Sequence, residues 1–262
     1  MNNTEVKKPS VKKTVIIIIA SVLAFTLIAF CASLLIINMM TKESDKGLID
    51  DFKSVYGESE SETNGNLRTF GKTEYKYGLV FFGKDLVDPD AYIPLLSAIA
   101  GKGIFVVQVL PTMNVSGLSK ADAERATRLY PTIESWFVGG HASGALTAAQ
   151  AAYDNPSDFK GVALVGSHCD TDLTAYGQKV LALFGSEDKI MNKSLYEQSK
   201  DNFPEEGFKE YILDGANHSN FGMYGVEEGD GEATLENYRQ ILIGAEIIGK
   251  FVTGYYDNPL HQ

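Results

Sequence analysis

The chain has 262 residues, a net charge of −11 and 44% hydrophobic residues. This length allows one large domain or two small ones, and the composition excludes wholesale disorder, a collagen-like chain and a disulfide scaffold. A strong nucleic-acid binder normally carries the opposite charge, so we expect no nucleic-acid partner.

The first segment with a clear pattern is apolar. Between Thr14 and Thr41 there is no charged residue or histidine, and about 20 such residues cross a hydrocarbon core of about 30 Å as a helix. The alternatives are a buried core helix, a lipoprotein attachment site at Leu27 to Cys31, and a cleaved signal peptide, whose apolar region would span about 7–15 residues. The length favours an uncleaved transmembrane signal anchor at residues 14–41.

The charges that flank this segment predict its orientation. Lysines precede it within residues 1–13, at Lys7, Lys8, Lys12 and Lys13. The positive-inside rule therefore predicts a cytoplasmic tail at 1–13 and a single-pass protein of the cell membrane whose main domain is extracytoplasmic. Residues 1–41 carry +3, which leaves −14 on residues 42–262. Such a domain is repelled by anionic headgroups, so the membrane contact is expected to be the helix.

The rest of the chain divides into a polar stretch and an alternating one. Residues 42–70 are expected to be a linker or an irregular edge, because they include the acidic run Gly57 to Glu62. From residue 71 onward, β-branched and aromatic runs alternate with segments of helical spacing. Several runs are apolar throughout, as in parallel strands covered on both faces. We therefore predict a domain at 71–262 with a mainly parallel, doubly wound α/β sheet. The predicted strands are Gly78–Phe82, Ile104–Leu110, Trp136–Val138, Gly161–Val165, Val180–Phe184 and Tyr211–Leu213, and the predicted helices are Ala91–Ala100, Ser119–Leu129, Ser143–Tyr153, Lys193–Asp201 and Ala233–Val252.

Three loops after predicted strands carry residues suited to catalysis. They are Gly139 to Ala145 before an alanine-rich helix, Gly185 to Asp188, and Asp214 to Gly222, which contains His218. A glycine-rich elbow, an acid and a histidine in this order resemble the α/β-hydrolases. The chain is most similar to the small, lidless branch related to dienelactone hydrolase, the "fold-5" group, over residues 75–252. The resemblance implies an α/β-hydrolase fold and hydrolysis of small ester or acyl substrates without a cofactor.

One elbow residue departs from the family pattern, which reads Gly-His-Ser-x-Gly-Gly. Here Gly140-His141 is followed by Ala142 and then Ser143, so the nucleophile position holds Ala142. Ser143 is a possible substitute nucleophile, but the positions two before and two after it would be His141 and Ala145, and His141 is too large for the tight turn. We therefore expect Ser143 to supply an oxyanion N–H instead.

The resemblance implies roles for the remaining site residues. Asp188 matches the acid that orients the imidazole, and His218 matches the base. The loop after the first strand of the parallel set implies further oxyanion N–H donors at Lys84 or Asp85. We expect no metal site, because His168, Cys169 and Asp170 make a poor ligand set.

Three functions stay open on these residues. The first is a hydrolase that has recruited Ser143. The second is a non-catalytic pseudoenzyme or ligand-binding protein on the same fold. The third is an ordinary serine hydrolase in which Ala142 is an engineered or strain-specific replacement.

Overall fold

A computed structural model of the protein describes residues 11–57 and 59–254. Most of the expected cytoplasmic tail, with Lys7 and Lys8, lies outside the described residues, as do Glu58 and residues 255–262 of the expected hydrolase domain. The chain divides into two compact units, residues 1–41 and residues 42–262.

The first unit is described as one long helix, α1, at Val11–Met40. Its most apolar stretch has a mean hydropathy of 2.9, and none of that stretch is buried within the protein. The expectation of an N-terminal helix long and apolar enough to cross a membrane is confirmed. None of the residues of α1 is buried, in contrast to the alternative of a buried core helix.

The second unit is an α/β domain around an eight-stranded sheet in the order β1-β2-β4-β3-β5-β6-β7-β8. The neighbouring strands β4, β3, β5, β6, β7 and β8 are parallel to one another. At one edge of the sheet, β2 pairs in antiparallel fashion with β4, and β1 pairs in antiparallel fashion with β2. The predicted α/β fold with a mainly parallel sheet is confirmed. The strands are β1 Ser61–Asn64, β2 Leu67–Phe70, β3 Tyr77–Phe82, β4 Ile104–Val109, β5 Ser135–His141, β6 Phe159–Val165, β7 Lys179–Gly185 and β8 Phe208–Leu213. The helices are α2 Lys46–Tyr56, α3 Ile93–Ala100, α4 Asp122–Leu129, α5 Ser143–Asp154, α6 Lys193–Ser199 and α7 Asn237–Thr253.

Helices cover both faces of the sheet, which explains why β3 lacks an alternating polar side. In β3, Leu79 and Phe81 face a core that includes residues of α2, α3 and α7. Val80 and Phe82 of the same strand face a second core, with residues of α4, α5 and α6. Successive side chains of a strand point to opposite faces, so a strand between two cores has no polar side.

Residues 42–70, which we expected to be a linker or an edge, contain regular structure. Asp45 caps α2 by accepting a hydrogen bond from the Leu48 N–H, and α2 buries Ile49 and Phe52. Strands β1 and β2 then form the antiparallel edge of the sheet.

The start of α4 also differs from the sequence expectation of a helix that begins at Ser119. The helix begins at Asp122, and the Ser119 hydroxyl accepts a hydrogen bond from the Thr112 N–H instead of capping α4. Residues 116–119 form a separate 3₁₀ turn.

Candidate active site

The candidate site lies at the carboxyl edge of the parallel strands. Strands β4 and β5 flank β3 on opposite sides, so the chain order reverses there, and open α/β sheets bind ligands at such a switch point. The loops after β3 and β5, the loop after β7 with Asp188, and the loop after β8 with His218 all open at this edge.

The turn between β5 and α5 is a strained elbow centred on Ala142. Ala142 has φ 52° and ψ −119°, a conformation that costs a non-glycine residue of order 1–3 kcal/mol. A Cβ added at Gly140 would lie 2.4 Å from the Gly144 carbonyl carbon, and one added at Gly144 would lie 2.3 Å from the Gly83 oxygen. The two glycines that allow this close packing are thus those two before and two after Ala142.

The side chain of Ser143 is committed to the neighbouring loop. Its Oγ accepts a hydrogen bond of 2.8 Å from the Asp85 N–H, and the Asp85 carboxylate accepts one of 2.7 Å from the Ser116 N–H. The Asp85 carboxylate is therefore held by a backbone donor rather than left as a free charge.

The same contacts change the expected oxyanion hole. The Asp85 N–H donates to Ser143 Oγ, and the Lys84 N–H donates to the Tyr92 hydroxyl at 3.0 Å. Both N–H groups are thus engaged within the protein. The Ser143 N–H has no intrahelical acceptor, because α5 begins at Ser143.

Asp188 and His218 form a buried pair. Asp188 Oδ2 lies 2.9 Å from His218 Nδ1, and the two side chains are 0% and 1% exposed. The other carboxylate oxygen, Oδ1, accepts hydrogen bonds from the N–H groups of Ile190 and Met191. The carboxylate of Asp188 is the acceptor in each of these hydrogen bonds. Nδ1 of His218 therefore carries the proton that it donates to Asp188, and this bond fixes the orientation of the imidazole ring.

The far side of the His218 ring is unusual. Its Nε2 is buried and has no hydrogen-bond partner among the residues that the structure describes. His218, Ala142 and Ser143 line the same cleft, whose volume is about 290 Å³. In a serine triad the nucleophile hydroxyl bonds to this nitrogen, whereas the residue at the elbow here has only a methyl group.

A second histidine lies behind the first. His141 is fully buried, its ring centroid is 4.4 Å from that of His218, and its Nδ1 is 2.9 Å from the Tyr92 hydroxyl. Burial, followed by electrostatic interactions with the neighbouring His218 and Lys84, holds the pKa of His141 well below its usual range. His141 is therefore a neutral packing group. Tyr92, which sequence reasoning did not place in the site, links it to the Lys84 backbone.

Sequence reasoning also missed a carboxylate that organises the histidine loop. Asp230 lies in the acidic segment 227–230 and accepts hydrogen bonds from the N–H groups of His218, Ser219 and Gly231. Partial burial opposes its charge, but the hydrogen bonds from Ser219, Gly231 and Lys189 outweigh that effect and lower the pKa of Asp230. The preference of carboxylates for exposed N–H groups at turns was the available signal.

The side chain of Lys84 lies at the cleft and is neutralised there. It forms an ion pair with Glu227, and the carboxylate of Glu227 also accepts a hydrogen bond from the Tyr224 hydroxyl. Both members of the pair are mostly buried, with 17% and 15% of their side chains exposed.

The segment after β6 carries the remaining candidate ligands. His168 Nε2 lies 3.5 Å from the exposed carboxylate of Asp170. Burial raises the pKa of the Cys169 thiol to about 11, so at neutral pH it is not a thiolate, which is the form that binds metals. Among residues 11–57 and 59–254, no group of three or more metal-binding side chains is gathered.

Comparison with known proteins supports the fold described above. No curated protein has a matching sequence. Among solved structures, the chain is similar to esterase 2 from Thermogutta terrifontis, with 14% identity, a TM-score of 0.51 and coverage of 75% of this chain and 94% of that one. It is also similar to Est1E from Butyrivibrio proteoclasticus, with 12% identity, a TM-score of 0.50 and coverage of 75% and 99%. An alpha/beta hydrolase enzyme from a sediment metagenome of the Mar Chica lagoon matches with 11% identity, a TM-score of 0.53 and coverage of 76% and 98%.

At these identities the likeness shows the fold alone. The family model for "Alpha/beta hydrolase family" matches residues 78–241, which is more than half of the chain and includes the elbow, Asp188 and His218. The chain belongs to the alpha/beta hydrolase family.

Proposed function

We propose that residues 42–262 form an extracytoplasmic ligand-binding domain on the hydrolase fold, and that the N-terminal helix anchors it in the cell membrane. In this proposal Ala142 occupies the nucleophile position, Asp188 and His218 are the retained acid and base, and no ester is hydrolysed through a serine. The ligand is a small molecule related to the esters that members of this family hydrolyse.

One observation carries this proposal: the strained elbow residue is Ala142, while the adjacent Ser143 hydroxyl is bonded to the Asp85 N–H. For Ser143 to act as nucleophile, its Oγ would have to leave that donor and the elbow would have to shift by one residue. The shift would place His141 and Ala145 where Gly140 and Gly144 now pack without a Cβ.

The magnitude of the missing group argues for binding rather than turnover. Loss of the nucleophile of a serine triad costs about 10⁶-fold in turnover. Each absent oxyanion donor costs a further factor of about 10²–10³, and the Lys84 and Asp85 N–H groups are engaged elsewhere.

Fluorophosphonate labelling of the purified full-length chain in lipid nanodiscs tests the proposal. We expect no label on the native protein or on the matched variant Ser143→Ala, and label on Ala142→Ser, which restores the elbow serine. Label on the native protein that disappears in Ser143→Ala would instead establish the alternative, a hydrolase that uses Ser143.

A further inference from the structure

The buried nitrogen of His218 defines what a ligand of this cleft must offer. Asp188 Oδ2 accepts a hydrogen bond from the Nδ1–H of His218, and in a neutral imidazole the other nitrogen is then an acceptor. That acceptor, Nε2, has no partner within the described part of the chain. A buried acceptor without a partner is costly, so a ligand that donates a hydrogen bond to Nε2 gains affinity.

The rest of the cleft favours an uncharged and largely apolar ligand. Leu146, Ile190 and Met191 are among its lining residues. The lysine at the cleft, Lys84, is already paired with Glu227. A carboxylate ligand would therefore find a neutralised cation, within a segment of the chain that carries −14.

Polar groups around the cleft are mostly engaged with the protein itself. The Ser167 hydroxyl donates to the His168 carbonyl, the Asn192 side-chain oxygen accepts from the Leu195 N–H, and Ser143 Oγ accepts from the Asp85 N–H. Among the described side chains that line the cleft, the buried polar atom without a partner is thus Nε2 of His218, and it accepts.

We infer that this cleft binds small neutral alcohols, whose hydroxyl donates to His218 Nε2 beside Ala142 and whose apolar body lies against the aliphatic wall of the cleft. The ligand hydroxyl takes the place that a serine hydroxyl would occupy at position 142. The inference rests on the proposed function, because a site that hydrolysed esters through Ser143 would not need this donor. Of the two parts of an ester, the inference therefore favours the alcohol over the acyl group as the ligand of this cleft.

The test compares 4-fluorobenzyl alcohol with 4-fluorobenzyl methyl ether. The two probes share an aromatic body, but the ether has no donor. Binding is followed by ¹⁹F NMR titration of the full-length chain in nanodiscs, with empty nanodiscs as the blank. We expect the alcohol to bind at least about tenfold more tightly, which corresponds to about 1.4 kcal/mol and is the size of one net hydrogen bond in a protein.

Two substitutions supply the contrast. Ala142→Ser provides an internal donor to Nε2, so the preference for alcohol should fall to near unity. Tyr153→Phe lies on the surface and outside the cleft, so the preference should persist.

Equal affinity for alcohol and ether in the native protein, binding of neither probe, or a preference that survives in Ala142→Ser would each overturn the inference. Failure of the proposed function is seen separately, as Ser143-dependent fluorophosphonate labelling.

Discussion

Restoring the elbow serine should convert the protein into an esterase. In Ala142→Ser, the new Oγ lies on the residue with φ 52°, in the cleft shared with His218. His218 Nε2 has no other partner among the described residues, so it can take the serine proton while Asp188 stabilises the charged ring. The acid Asp188 and the base His218 are already in contact, so the substitution has to add only the serine hydroxyl.

The size of the gain follows from what the site has and what it lacks. A complete serine triad is worth about 10⁶ in turnover over the same site without its nucleophile. One oxyanion donor fewer reduces that by about 10²–10³, because the Lys84 N–H is bonded to Tyr92 and the Asp85 N–H to Ser143. The Ser143 N–H at the start of α5 remains as a donor. We therefore expect turnover of 4-nitrophenyl acetate to rise about 10³–10⁴-fold over the native protein.

The assay compares initial rates of nitrophenol release for the native chain, Ala142→Ser, Ala142→Gly and the double variant Ala142→Ser with His218→Ala. The glycine variant controls for relief of backbone strain and should show no gain. The double variant should lose the gain, because the serine has lost its base. A folded Ala142→Ser protein without a gain, or a gain that persists without His218, would refute the reasoning about the elbow.

Three further outcomes are expected. Asp230→Asn should lower the free energy of unfolding at neutral pH. The pKa of Asp230 is lowered in the folded protein, so the stabilisation by its carboxylate is present above the unfolded pKa of about 3.9 and is lost as the pH falls through the folded pKa. The difference in stability between the variant and the native protein should therefore close in acid denaturation curves. Tyr92→Phe should lower the free energy of unfolding in urea by about 1–3 kcal/mol, because the Lys84 N–H and His141 Nδ1 lose their hydrogen-bond partner. Tyr153→Phe on the surface is the control and should lower it little. Equal losses of stability in the two variants would contradict the role of Tyr92. Protease added to intact cells should digest residues 45–262 and spare the N-terminal tail, with permeabilised cells as the control; protection of the whole domain in intact cells would reverse the topology.

The parallel core was predictable because its pattern has a single cause. Strands buried on both faces leave no polar positions, and the runs at Gly78–Phe82 and Val180–Phe184 fall inside β3 and β7. The antiparallel edge was missed because β1 is exposed along its whole length, so it shows no alternation. Its signal was the two-residue turn Gly65-Asn66 between β1 and β2, a common hairpin sequence.

The candidate site was predictable only in part, because sequence order locates side chains on loops but not their hydrogen-bond partners. The positions of Asp188 and His218 follow from strand order, and the structure brings them within 2.9 Å. The engagement of the Lys84 N–H by Tyr92 could not be read in the same way. It depends on a hydroxyl that reaches across from the short helix before α3, and no spacing rule describes that contact.

The strain at Ala142 explains why the elbow keeps its shape without a nucleophile. An unfavourable backbone conformation persists only where its surroundings hold it in place. Here Gly140 and Gly144 pack against neighbouring backbone atoms so closely that neither position has room for a Cβ, and these contacts hold the turn. Those contacts belong to the packing of β5 and α5 against the loop after β3, and they do not involve the side chain at position 142. Loss of the hydroxyl therefore leaves the turn in place. The elbow that would aim a serine at His218 holds a methyl group there, so under the proposed function a single oxygen atom at position 142 would separate a binding cleft from a catalytic one.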